Sequence, residues 1–151
     1  MCLLTSRKNG WIAVKDIICY KVLCKKNEEY YTPYVYKKLS PGEILGTRSF
    51  YDPETNADTR PFRNVFSDKN SERFLTGLGF IHTYKGLKSA KDLCHDLSLR
   101  HSYNYVVFKC IIPVGTRYYK GRDEYSGAHA YAAEEIKFVE KVYELKHEKR
   151  I

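Results

Sequence analysis

The stretch "AAEEIKFVEKVYEL", Ala132 to Leu145, decides the fold, because it satisfies two periodicities at once. As a helix, it places Ala132, Ile136, Val139 and Tyr143 at spacings of three and four. As a strand, it points Ile136, Phe138 and Val142 one way and Lys137 and Lys141 the other, with Glu140 as the exception. Intrinsic propensity favours the helix, and the residues of this segment leave both readings open.

Working outward, "YNYVVFKCII" (Tyr103 to Ile112) is continuously apolar and β-branched, the pattern of a central strand. "PVG" then marks a turn, and "TRYYKG" runs on as another strand or an extended arm. Upstream, "GLKSAKDLCHDLSL" sets Leu87, Ala90, Leu93 and Leu97 on one face of an amphipathic helix behind Gly86, a weak N-cap. "GLGFIHTY" before it reads as a short buried strand. "DIICYKVLC" (Asp16 to Cys24) is a strand with Tyr20, Val22 and Cys24 on one face. "YYTPYVYKK" is an edge strand because of Pro33, and "GEILGTRS" is a third short candidate. Residues 50–72 are polar, lack periodicity and read as a long loop, either a lid with Arg60 and Arg63 reaching an anion or an insertion. The expected fold is α+β: a mostly antiparallel sheet of four to six strands with one main helix packed on it.

Hydrophobic residues make up 43% of the 151, and aromatics 15%, which suits a single domain covering 1–151. No apolar run is long enough to span a bilayer, and the opening "MCLLTSRKNGW" turns polar too soon for a secretory segment. A cytoplasmic protein with no membrane contact is the expectation. The five cysteines are odd in number and irregularly spaced, which argues against a disulfide framework. Neither CxxC nor HxxxH spacing is present, so no metal and no cofactor are expected.

The net charge of +8 prompts a search for anionic partners, and its distribution narrows that search. Residues 103–122 hold four basic side chains and no acidic one. There Lys109, Arg117, Lys120 and Arg122 interleave with Tyr118 and Tyr119, the mixture a nucleotide or single-stranded nucleic acid requires. A charged, solvated sheet edge gives the same string. His82 is a second candidate, either a base or a buried imidazole donating to a backbone carbonyl. "HTY" at His82 and "HSY" at His101 lack the hydroxyl two residues on that paired-histidine phosphoesterases use. Phosphate loops, HExxH and GxSxG are also absent.

Three pieces, "MCLL…DIICYKVLC…YYTPYV", "GLGFIHTYKGLKSAKDL" and "VVFKCIIPVGTRYYKGRDEYSGAHAYAAEEIKFVEKV", resemble a family of short uncharacterised proteins from gut bacteria and their phages. The family's closing segment is a strand, which implies strand for Ile136 to Tyr143. This sequence departs from the family pattern by placing Ile81 between Phe80 and His82. A weaker resemblance is to ADP-ribosyltransferase-like domains, and it implies Tyr84 for stacking with Glu134 or Glu135 to polarise a ribose. Three functions are thus in view. The first is a phage-associated protein binding an anionic partner: a nucleotide, a nucleic acid or an acidic protein. The others are an enzyme acting on NAD and an oligomerising interaction domain.

Overall fold

Residues 132–145 are strand: one strand ends at Ala133 and the next runs from Glu135 to Leu145. The computed structural model describes residues 3–32, 38–42, 44–46, 51–52, 57–58, 65–67, 74–76, 80–101 and 103–145. Its strands begin with β1 (Leu3–Thr5), β2 (Trp11–Ile12), β3 (Ile17–Lys26), β4 (Glu29–Tyr31), β5 (Lys38–Leu39) and β6 (Ile44–Gly46). They continue with β7 (Tyr51–Asp52), β8 (Ala57–Asp58), β9 (Val65–Ser67), β10 (Phe74–Thr76) and β11 (Ile81–Tyr84). Helix α1 (Leu87–Arg100) precedes β12 (Asn104–Ile112), β13 (Arg117–Asp123), β14 (His129–Ala133) and β15 (Glu135–Leu145).

This is an α+β fold with, among the described residues, one helix packed on a large antiparallel sheet. The principal sheet has thirteen strands where four to six were expected. Most of the excess consists of two- or three-residue strands such as β1, β2 and β10, too short to show an alternation. The aperiodic region 50–72 holds β7 and β8, which pair with each other, and β9, which pairs with β10. Arg60 and Arg63 lie outside the described residues, as do positions 33–37 of the expected edge strand.

The sheet closes on itself. Only Glu134 separates β14 from β15, yet in the sheet the order β15-β12-β3-β11-β14 puts three strands between them. Residues 129–145 are therefore one ribbon bent at Glu134, whose first half pairs with β11 and β13 and whose second half pairs with β12 and β6. At the bend, the Glu134 N–H donates to the Arg117 carbonyl at 3.1 Å.

Two cores follow from the alternation of side chains along these strands. Inside the circuit lie Cys19 and Leu23 of β3, Phe108, Cys110 and Ile112 of β12, Ile81 of β11, and Ile136 and Phe138 of the ribbon. Phe108 meets Phe138 edge to face, with ring centroids 6.0 Å apart. Outside, Val22, Cys24, Tyr84, Val107 and Ala132 pack against Ala90, Cys94 and Leu97 of α1. Cys19 and Cys24 thus face opposite sides of β3, and the four described cysteines are buried free thiols. Gly86 caps α1 without a side-chain bond, and Arg100 in the last turn complements the helix dipole.

One seam of the circuit is open. β3 pairs with β12 from Ile17 to Lys25 but with β11 at Tyr84↔Tyr20 alone. Lys21 lies beside this seam, and its Nζ donates to the His82 carbonyl at 2.9 Å. Burial pulls the Lys21 pKa down to about 8, against the raising influence of Cys110 and Cys19. Burial also pushes the Cys19 thiol up to about 11 and raises Cys110, so both stay protonated near neutrality.

Candidate functional site

His82 is 7% exposed, on the short, fully buried β11. Burial first, and the nearby Lys21 charge second, hold its imidazole down to about 3, while a hydrogen bond with the Phe80 backbone opposes them. A neutral ring enclosed in this way is part of the packing. Tyr84 is 3% exposed, at the wall of a cavity beside α1, and its hydroxyl donates to Asp123 Oδ2 at 3.2 Å. On β14 it stands opposite Ala130, four residues before Glu134, which places the two backbones roughly 13 Å apart at the usual strand rise. Glu135 is one residue further on, opposite Gly46. The tyrosine and the glutamates therefore do not converge.

The basic residues of 103–122 divide between several places. Lys109 is on β12, opposite Tyr20 and Glu140, and four strands away from β13. Along β13 the alternation turns Tyr119, Gly121 and Asp123 to one side and Tyr118, Lys120 and Arg122 to the other. Tyr119 is buried, packs edge to face on Phe80 and donates its hydroxyl to the Lys8 carbonyl at 3.0 Å. Arg117 donates through Nη1 to the Asn9 carbonyl. Both side chains tie the 7–10 turn to the sheet and lie away from the opposite face.

That opposite face carries the site. Gly10, at φ +63°, turns the chain so that β2 pairs with β13, setting Trp11 beside Tyr118. A Cβ at Gly10 would come within 2.5 Å of the Tyr118 carbonyl oxygen, so both the backbone angle and the close approach call for glycine. Trp11 then stacks on Tyr118 at 6.2 Å and 29°. Lys120 Nζ and Arg7 Cζ each lie 4.9 Å from the centre of the indole ring. Next to it, Arg122 faces His129 across the β13–β14 pair, and Lys85 joins them because its N–H donates to the His129 carbonyl at 3.1 Å. Trp11, Lys85, Lys120, Arg122 and His129 line a cavity of about 230 Å³.

Among the described residues, no carboxylate pairs with Arg7, Lys85, Lys120 or Arg122. Elsewhere cations do find partners: Lys25 meets Glu144 at 2.7 Å and Lys38 meets Glu29 at 2.8 Å. The cationic face is thus a local surplus. An anion entering it meets several N–H donors and an aromatic plane with little competition. Sequence reasoning found Lys120, Arg122 and Tyr118 but missed Arg7, Trp11, Lys85 and His129. The available signal was "SRKNGW", two cations just before the only tryptophan of the chain.

A substitution separates scaffold from site here. Tyr119→Phe removes the bond to Lys8 and should cost about 1 kcal/mol of stability in urea unfolding. Anion binding should weaken far less than in Lys120→Glu, since the hydroxyl faces away from the cavity and acts only by holding the turn that carries Arg7.

No protein-family model matches the chain, and no curated protein or solved structure matches it significantly.

Proposed function

We propose that the protein binds an anionic partner at the Trp11 face, and that the partner is a phosphate-bearing nucleotide unit presented by a single-stranded nucleic acid. The observation that supports this is Arg7 and Lys120 over one indole, with Lys85 and Arg122 lining the cavity beside it, and, among the described residues, no carboxylate pairing with any of the four. Phosphates take the cations, while base planes stack on aromatic faces, a sequence-tolerant mode worth about 1–3 kcal/mol per base. A phage or prophage setting, implied by the resemblance of the three segments, belongs to the same proposal.

Trp11 reports directly on the site because the chain has no other tryptophan. Titration with a short single-stranded oligonucleotide should change its emission saturably and more weakly as salt rises. Lys120→Glu with Arg122→Glu should abolish the response. The single replacement Arg122→Gln should lower the slope of log affinity against log salt by about 0.7, the share of one phosphate contact on a single strand. A silent Trp11 with oligonucleotide, but a response to poly-glutamate, would point to an acidic protein instead.

A further inference from the structure

On the other side of β13, a second cavity of about 530 Å³ opens between α1 and the turn joining β13 to β14. Its character is opposite to that of the Trp11 face. Asp92 and Asp96 project from α1, Asp123 forms part of the wall, and Arg100 is the one cation, 3.4 Å from Asp96. Asp123 is 4% exposed. Its Oδ2 accepts from Tyr84, from the Ser126 hydroxyl at 2.6 Å and from the Ser126 N–H. Its Oδ1 is buried and, among the described residues, has no hydrogen-bond partner. A buried carboxylate oxygen left unmatched beside an acidic cavity is costly unless a donor is brought to it.

We infer that this cavity is a binding site for a small organic polycation, an aliphatic di- or polyamine, with one ammonium group donating to Asp123 and another meeting Asp92 and Asp96. Among the described residues no three carboxylates, imidazoles or thiols converge closely enough to hold a metal ion. Separated donors on one flexible molecule suit carboxylates spread in this way. Leu93, Ala128 and the exposed Tyr125 ring give the same cavity an apolar wall against which the methylenes between those donors pack. Asp123 and Arg122 point to opposite sides of β13, so this cavity and the Trp11 face lie on opposite faces of the strand, linked through the turn whose Gly127 carbonyl accepts from Arg122 Nη1 at 3.0 Å.

Isothermal titration of the full chain with spermidine, and with magnesium alone, tests this. Saturable one-to-one binding of spermidine is expected. Asp123→Asn should weaken it about ten-fold or more, the loss of a charge-assisted hydrogen bond. Should Asp123→Asn fail to fold, the exposed pair Asp92→Asn with Asp96→Asn serves in its place, weakening affinity and flattening its salt dependence. Absence of saturable binding, affinity unchanged in the exposed double variant, or magnesium displacing spermidine at equal concentration would each overturn the inference. Preference for a Lys-Lys dipeptide over spermidine would overturn it in favour of a peptide site.

Discussion

Gly121→Ala is expected to destabilise the protein by about 3 kcal/mol or more, the upper end of what overpacking costs, because a close-packed backbone is forced apart. Gly121 lies opposite Thr5 on one side and Ala130 on the other, in the middle of β13. A Cβ built there lies 1.8 Å from the Leu4 carbonyl oxygen and 2.8 Å from its carbon. Both are backbone atoms, so no rotamer change relieves the overlap and β1 itself must move. That shift also breaks the bond from Thr5 Oγ1 to the Lys120 carbonyl, now 2.9 Å, and loosens β10 and β9 beyond β1. Thermal unfolding followed by circular dichroism should show Tm lower by roughly 10 °C, at about 2–4 °C per kcal/mol for a chain of this size. A change of a degree or two would show that β1 slides without cost.

Acid should weaken the fold before its carboxylates titrate, because of His82. Its folded pKa of about 3 is below the ordinary 6.5, so the unfolded chain takes up a proton that the folded chain refuses. For a group depressed on folding, the stabilising contribution is complete above 6.5 and is lost as pH falls toward 3. Between pH 6.5 and 5 the loss should be about 1.5–2 kcal/mol, at about 1.4 kcal/mol per pH unit. Below that range Glu29 and Glu144 join in, since hydrogen bonds from Lys38 and Lys25 hold their carboxyls below the usual range. His82→Phe, which fills similar space with a ring that does not titrate, should flatten the pH 5–6.5 limb in urea unfolding. An unchanged slope in that variant would remove His82 as its source.

The helix and the long strands were legible because their signals are local. Ala90 and Leu97 fall three and four apart from their neighbours, and residues 105–112 are apolar but for Lys109. The ribbon 129–145 was not decided by its own residues. Ala, Glu and Lys suit a helix, and pairing with β12 on one side and β6 on the other overrides that preference. Site residues were legible where they share a strand, as Lys120 and Arg122 do. Trp11, Lys85 and His129 are far apart in the chain and meet only because β2 and β14 pair with β13 and the backbone of Lys85 continues onto β14. Tyr119 looks identical to Tyr118 as a letter, and only the parity of β13 sends one to the core and the other toward Trp11.

The bent ribbon also sets an order for synthesis. Until residues 129–145 leave the ribosome, β11 and β12 each present an unpaired edge, and Phe108 and Ile112 lack the Ile136 and Phe138 that cover them. A nascent chain halted before this point is sticky along two edges at once, the condition under which strands from neighbouring chains recruit one another. One stretch of backbone closes both edges, so the hazard ends in a single event when Glu134 takes its bend.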